Sequence, residues 1–192
     1  MSKSVWLLLL VIACALPPGA VAKPPAEKLL TARARQALRA LKQRDGAALA
    51  TLTHPANGVR FSPYGYVEIE KERVLTQRQV QRLFADRRRY VWGEDDATGE
   101  TIKLSGRQYV ARRVYDRDFL RAPQVFYNRV VFGGTTMPNN VAVVYPRALF
   151  VTFHFPNTNE VGAQDWTSLC LGFEKQHGTW YLVAVIHNVW TI

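Results

Sequence analysis

Apolar residues in the first part of the chain recur every three or four positions, with charged residues between them. One such stripe runs from Leu30 to Leu41 and predicts an amphipathic helix that starts near Pro24 and Pro25. The pair Asp45-Gly46 ends this helix and can cap a short second helix over 47–53. Two more helices are predicted where Thr or Ser is followed three positions later by Gln, as in a capping box, at 76–79 and 105–108.

The later part of the chain has long apolar runs rich in Val, Phe and Trp, separated by turn residues. They predict strands at 125–132, 141–145, 148–155, 166–174 and 179–191. In the last run, strict alternation places Leu182 and Ile186 on one face and Val183 and Val185 on the other, so both faces are apolar. An antiparallel strand that is buried on both faces needs a cover on each side. We therefore expect a strongly bent sheet that wraps around helices.

These patterns favour a single α+β domain over residues 23–192, with N-terminal helices packed in a highly curved antiparallel sheet. A strand–turn–strand or β-hairpin is predicted at 59–67, where Pro63 and Gly65 suit a tight turn. A β-sandwich or a lipocalin-type barrel is disfavoured, because the helical share of the first part is too large for either.

Residues 1–22 have the pattern of a secretory signal peptide. Lys3 precedes an eleven-residue apolar run at 5–15, and a small-x-small site at 20–22 comes directly before Lys23. A second interpretation is a bacterial lipoprotein, since 11–14 loosely resembles a lipobox with Cys14 as the lipidated residue. A membrane-spanning anchor is disfavoured, because a span needs about 20 apolar residues. Either cleavage leaves Cys170 without a partner for an internal disulfide.

Composition indicates a packed globular protein and adds one asymmetry. The 192 residues are 48% hydrophobic and 21% charged, and 25 Lys+Arg against 15 Asp+Glu give a net charge of +10. Residues 23–122 carry 21 of the basic and 12 of the acidic residues, whereas 123–192 carry three of each. A basic run at 87–90 lies in the charged part. For an exported protein, its expected partners are anionic envelope polymers or lipid surfaces rather than nucleic acid; the alternative is a solvated helix face paired with neighbouring aspartates.

The order of these elements resembles a known superfamily. The stretch 37–55, with its His-Pro end, and the closing segment 178–183 are similar to nuclear-transport-factor-like proteins, which include ketosteroid isomerase and polyketide cyclases. The resemblance implies a cone in which a curved sheet holds helices and leaves a pocket at the open end. A narrower motif, His-Pro-Ala-Asn-Gly-Val-Arg-Phe-Ser-Pro-Tyr-Gly-Tyr-Val at 54–67, resembles uncharacterised bacterial exported proteins or lipoproteins. That group implies a compartment and a fold, and it offers no catalytic residues to carry over.

Seven residues are candidates for ligand binding: His54, Arg60, Tyr64, Tyr66, His154, Asp165 and His187. Arg60 is flanked by aromatic residues and by Ser62, and such a segment can hold a carboxylate or a phosphate through paired donors. The histidines lack the local spacing of a metal site, so we expect core or rim histidines, with no metal and no cofactor. Cys170 lies between two leucines and is expected to be buried and inert. The acidic segment 94–100 lacks the spacing of a calcium loop and predicts a solvated turn.

The sequence therefore predicts an exported, periplasmic or secreted envelope protein that binds a small ligand or a protein partner in its cone without catalysis. The alternative is an enzyme in which His154 or His187 acts with Asp165 or Tyr64 as acid and base. A third hypothesis is a surface module that uses its arginines to bind anionic polymer or lipid. The sequence leaves the identity of the ligand and the oligomeric state open.

Overall fold

The computed structural model describes residues 26–131, 139–158 and 164–190. The predicted signal peptide, its cleavage site and the possible lipidation site Cys14 lie outside these residues. Within them, no helix combines the length and the apolar character needed to cross a membrane.

Five helices and one 3-10 turn are described. The helices are α1 (Ala26–Gln43), α2 (Gly46–Leu52), α3 (Gln77–Gln81), α4 (Gly106–Arg113) and α5 (Val141–Val144), and the 3-10 turn spans Phe119–Arg121. The stripe predicted for α1 is buried, and Asp45 caps α2 through its side chain. Both predicted capping boxes are present, with Thr76 opening α3 and Ser105 opening α4. The local signals for helix starts are therefore confirmed.

Eight strands in the described part of the chain form two sheets. The strands are β1 (Val59–Ser62), β2 (Arg73–Leu75), β3 (Arg89–Glu94), β4 (Thr101–Ser105), β5 (Gln124–Tyr127), β6 (Leu149–Phe155), β7 (Thr167–Gln176) and β8 (Thr179–Val189). Six of them form one sheet in the order β2-β1-β8-β7-β6-β5, while β3 and β4 form a separate hairpin. Every pair is antiparallel except the parallel pair β1–β8.

The large sheet is curved and buries both of its faces, as predicted. Helix α1 and the 3-10 turn pack against one face, where Phe153, Leu171 and Phe173 join the main core. A smaller cluster that includes Val141 of α5 covers the opposite face. The fold class is the predicted α+β arrangement, with helices held against a curved sheet.

The strict alternation predicted for the last strand is wrong around Val183. Partners of β8 shift there, because Gly172 pairs with Ala184 whereas Phe173 pairs with Leu182. The extra residue is a β-bulge, so Val183 and Ala184 both join the outer cluster. A bulge of this kind bends a strand, and it contributes to the curvature of the sheet.

Two predictions for the middle of the chain are wrong. The segment 141–145 forms the short helix α5, not a strand, because the Asn140 side chain binds both the backbone N–H and the carbonyl of Val67 and fixes the turn before it. The strand–turn–strand at 59–67 is only β1 followed by a loop, and the partner of β1 is β2. The hairpin β3–β4 was not expected in a region that the pattern assigned to helices.

Candidate functional site

An arginine-rich cavity of about 130 Å³ lies between the β3–β4 hairpin and residues 77–86, which comprise α3 and the turns after it and are named the α3 segment. Strand β2 supplies Arg73, and α3 supplies Arg78 and its C-terminal cap Arg82. Strand β3 supplies Tyr90, and Arg88 comes directly before it. These elements meet because Leu75, Leu83 and Trp92 pack into the main core beneath the cavity. We name these four arginines, with Asp86 and Tyr90, the arginine cavity.

The charges of the arginine cavity do not balance. Asp86 accepts hydrogen bonds from Arg88 (Nη2 to Oδ2, 2.7 Å) and from the hydroxyl of Tyr90 (2.6 Å). These two donors hold the pKa of Asp86 well below its usual range, so the carboxylate is ionised at neutral pH. Among the described residues, no carboxylate lies within 4 Å of Arg73, Arg78 or Arg82. Four guanidinium groups against one carboxylate leave a net positive site.

The Arg73 side chain is held by a cation–π contact. Its guanidinium lies over the Tyr90 ring, 4.0 Å from the centroid. Its Nε is buried and has no hydrogen-bond partner among the described residues. A buried N–H without an acceptor is costly. Arg73 therefore combines a fixed position with an unsatisfied donor.

The floor of the cavity is rigid and apolar. Trp92 is fully buried, stacks on Tyr109 with ring centroids 4.1 Å apart, and donates its indole N–H to the Leu104 carbonyl. Gly106 begins α4 so close to Leu83 that a Cβ would lie 2.4 Å from the Leu83 carbonyl oxygen. An anion held by the arginines would rest on a closely packed apolar surface.

Three of the candidate residues lie in β1 or in the loop between β1 and β2: Arg60, Tyr64 and Tyr66. Arg60 donates from Nη1 to the carbonyls of Ile69 (2.9 Å) and Glu72 (3.1 Å), so it clamps the loop. The Tyr64 hydroxyl contacts Arg113 (3.1 Å) and Asp95 (3.3 Å). The structure therefore does not bring the Arg60 guanidinium and the Tyr64 hydroxyl to one ligand position. Tyr66 is 46% exposed.

The two strand histidines lie on opposite faces of the sheet. His154 pairs with Ser168 across β6 and β7, and its Nδ1 contacts the Ser168 hydroxyl at 2.7 Å. His187 pairs with Leu169, the neighbour of Ser168, so its side chain lies on the core face. Burial lowers the pKa of His154. The two rings cannot serve one site.

His187 has an acidic partner that sequence reasoning missed. Its Nε2 lies 3.0 Å from Asp116 Oδ1 and 3.2 Å from the Thr167 hydroxyl, while its buried Nδ1 has no partner among the described residues. Burial, the largest single influence, raises the pKa of Asp116, but the hydrogen bond and charge of His187 together with weaker contacts lower it, and the net shift is downward. Asp165, the predicted partner, instead accepts from the backbone N–H of Thr158 (2.9 Å), which lowers its pKa. The paired His and Asp are 71 residues apart in the sequence, so no local sequence pattern could have predicted their contact.

His54 is buried and fixed at the end of α2. Its Nδ1 accepts hydrogen bonds from the backbone N–H groups of Ala56 (3.3 Å) and Asn57 (2.9 Å). Burial is the main cause of its lowered pKa, which favours the neutral ring. His54 lines a second cavity, which shares no lining residue with the arginine cavity.

Glu72 is a buried carboxyl group in the described interior. Its Oε2 lies 2.5 Å from the Ser62 hydroxyl, and its Oε1 accepts from the Glu68 backbone N–H at 3.0 Å. Burial raises its pKa to about 7 despite these hydrogen bonds. The sequence pattern did not single out Glu72, because its burial depends on the closure of the 63–72 loop.

Two further site hypotheses concern metals and thiol chemistry. Within residues 26–131, 139–158 and 164–190, no three His, Cys, Asp or Glu side chains are placed to share a metal ion. Cys170 is fully buried, and burial raises the pKa of its thiol to about 12. The thiol therefore stays protonated at neutral pH, as expected for an inert core cysteine. The acidic segment 94–100 forms the turn of the β3–β4 hairpin.

The comparisons with known proteins concern the fold alone. A calcium/calmodulin dependent protein kinase II association domain, so described, from Xanthomonas campestris is 10% identical, with 94% of this chain and 98% of that chain covered and a TM-score of 0.39. A protein of unknown function from the DUF3225 family of Pectobacterium atrosepticum is 14% identical, with coverages of 86% and 91% and a TM-score of 0.36. A substituted form of Rd1NTF2_05 is 12% identical, with coverages of 84% and 99% and a TM-score of 0.31.

No protein-family model matches the chain, and no curated protein matches it significantly. The class of protein is therefore defined by its architecture alone: an α+β module with helices held against a curved, mostly antiparallel sheet. Its function has to be argued from its own residues.

Proposed function

We propose that this protein is an exported envelope module that binds an anionic group, a phosphate or a carboxylate, in the arginine cavity without catalysing a reaction. The observation that carries the proposal is the convergence of four arginines on one cavity with a single aspartate among them. Guanidinium groups match the planar geometry of carboxylates and phosphates and donate several hydrogen bonds at once.

Features of the cavity favour a ligand over a merely solvated basic surface. The Arg73 guanidinium is held on the Tyr90 ring and leaves a buried N–H unsatisfied. Arg88 is already paired with Asp86, so an incoming anion is left with Arg73, Arg78 and Arg82. The apolar floor also suits a small apolar substituent on the anion, as in a lipid or polymer phosphate ester.

Calorimetric titration tests this proposal. Inorganic phosphate, phenyl phosphate and benzoate are titrated into the wild-type protein and into Arg73→Gln and Arg78→Gln. We expect saturable binding to the wild type that each substitution weakens about tenfold, because each removes a charged hydrogen-bond donor. Arg107→Gln, an exposed arginine that does not line the cavity, is the matched control and should bind like the wild type. The phosphate and carboxylate arms identify the preferred anion.

Salt gives a second criterion for the same titration. Binding to the arginines should weaken as sodium chloride rises from about 0.05 to 0.5 M, because salt screens partly exposed charges. Phosphatidylglycerol vesicles compared with phosphatidylcholine vesicles distinguish a lipid source from a free phosphate. Binding that is equal in Arg73→Gln and in the wild type would reject the cavity as the site.

A second candidate function rests on the His187–Asp116 pair. A buried histidine whose Nε2 faces a carboxylate at 3.0 Å has the arrangement of an acid–base pair, with the carboxylate orienting the ring. If this pair is catalytic, an activity found in a screen of hydrolase, lyase and isomerase substrates should fall at least about a hundredfold in His187→Gln and Asp116→Asn. Equal activity in the variants and the wild type would remove this candidate.

Export is part of the proposal and rests on the sequence pattern of residues 1–22. Mass spectrometry of the protein from an envelope fraction should give a mature chain that starts at Lys23. A chain that starts at a lipidated Cys14 would replace soluble export with membrane anchoring. A full-length chain in the cytoplasm would contradict both forms of export.

A further inference from the structure

A second pair of cavities lies next to His54 and Asn57. Two cavities, of about 470 and 310 Å³, share Asn57 and Glu174 as lining residues and therefore adjoin. We name these two cavities together the Glu174 groove. None of the residues that define the arginine cavity lines it, so it is a separate feature.

The groove has a polar end and an aliphatic end. The larger cavity is lined by His54, Asn57, Arg147 and Gln176, whose side chains all carry planar polar groups. The smaller cavity is lined by the aliphatic side chains of Ile69, Val74, Val144 and Val183. Ile69 and Val74 are 53% and 42% exposed, so this end is open to a partner.

The polar end presents a donor in a fixed state. Two backbone N–H groups donate to Nδ1 of His54, so the proton of the neutral ring lies on Nε2. His54 is 4% exposed and lines the cavity, and Nε2–H is the donor that its ring offers there. The ring cannot flip without losing both backbone contacts.

Acceptors at the polar end are poorly satisfied. The side chain of Glu174 is 12% exposed, yet its closest donors are Asn57 Nδ2 at 3.3 Å and Arg147 Nη2 at 3.8 Å, both on Oε2. The Oε1 atom of Gln176 is buried and has no hydrogen-bond partner among the described residues. Buried acceptors in this condition gain free energy when a ligand supplies N–H groups.

We propose that the Glu174 groove binds an extended peptide segment in which an aliphatic side chain is flanked by acidic ones. Backbone amides of the peptide supply the N–H groups for Glu174 and Gln176 and the carbonyl for His54 Nε2–H. The aliphatic side chain enters the end lined by Ile69 and Val183. A glycan would also meet the polar end, and Tyr145 borders the smaller cavity, so binding of a glycan is one outcome of the test below.

Charge sets the acidic preference. Arg60, Arg147 and Lys175 line the groove against the single carboxylate of Glu174, so the site is net positive. The side chain of Arg147 is 81% exposed and its contact with Glu174 is long, so Arg147 can turn towards a carboxylate of the partner. A positive site with unsatisfied acceptors matches a peptide with acidic side chains and free backbone N–H groups.

The test uses the full chain labelled with nitrogen-15 and an acetylated, amidated pentapeptide of sequence Gly-Asp-Val-Asp-Gly. We expect saturable shifts of the side-chain amide signals of Asn57 and Gln176. A peptide with Ser in place of Val, and one with Lys in place of both Asp, should each bind about tenfold more weakly, because each loses one of the two recognition elements.

Protein variants provide the controls. Arg147→Ala and Lys175→Ala should each weaken binding of the aspartate peptide about fivefold, as expected for the loss of a partly exposed ion pair. Arg107→Ala and Arg73→Gln lie outside the groove and should bind like the wild type, so the result stands apart from the anion site. Both groove variants replace exposed side chains, so their folding is not at issue.

Three results would overturn the proposal. The first is the absence of shifts at Asn57 and Gln176 up to about 5 mM peptide, a weak but measurable affinity. The second is equal binding of the valine and serine peptides. The third is preferential binding of the tetramer of N-acetylglucosamine over the aspartate peptide, which would assign the groove to a glycan.

Discussion

Glu72 shows how strongly a single residue depends on the loop around it. Its carboxyl group is 8% exposed and is held by Ser62 and by the backbone of Glu68. Burial raises its pKa to about 7, against an ordinary value of 4.5. The folded state therefore binds the Glu72 proton more tightly than the unfolded state, and folding is favoured while that proton is present.

This pKa predicts a pH dependence of stability with a definite sign. The contribution of Glu72 is full below about pH 4.5 and is lost as the pH rises through 7. Glu72→Gln keeps a neutral side chain of the same shape. It should be more stable than the wild type at pH 8, by up to about 3 kcal/mol, and nearly equal at pH 4.5. Urea unfolding at both values measures this. An identical pH dependence in both proteins would contradict the assignment.

At the scale of elements, the sequence correctly predicted those helix starts that depend on residues close together in the chain. The starts of α3 and α4 follow from capping boxes whose partners are three residues apart. The hairpin β3–β4 was missed because Trp92 and Gly93 are the only buried residues of β3 and its other positions are largely charged or polar. The helix α5 was predicted as a strand because its four residues are Val, Ala, Val and Val, and the contact of Asn140 with Val67 overrides their strand preference.

The contact between α4 and the end of the α3 segment gives a second prediction. A methyl group at position 106 would lie 2.4 Å from the Leu83 carbonyl oxygen. Gly106→Ala should therefore destabilise the fold by about 1–3 kcal/mol, the usual cost of overpacking. Arg107→Ala, an exposed neighbour on the same helix, should change the free energy of unfolding by less than about 0.5 kcal/mol. Equal effects of the two substitutions would show that the helix shifts freely.

At the scale of the whole molecule, the charge asymmetry of the chain becomes a spatial arrangement. The basic run at 87–90 was visible in the sequence, but the cavity was not. Arg73 of β2 and Arg78 of α3 line the same cavity as Arg88 only because β2 and α3 pack next to the β3–β4 hairpin. In the same way, His187 meets Asp116 through contacts between distant segments. The sequence predicted that an arginine beside aromatic residues binds an anion, and it assigned this role to Arg60. In the structure, four arginines instead line one cavity together with Tyr90.

The most direct test of the central claim is a nuclear magnetic resonance titration that observes the Arg73 Nε–Hε signal while phenyl phosphate is added. We predict that this signal shifts saturably, with the same dissociation constant as the indole signal of Trp92 at the cavity floor, because both residues border the cavity and report the same binding event. Unchanged Arg73 and Trp92 signals under conditions in which phenyl phosphate binds the protein would contradict the account.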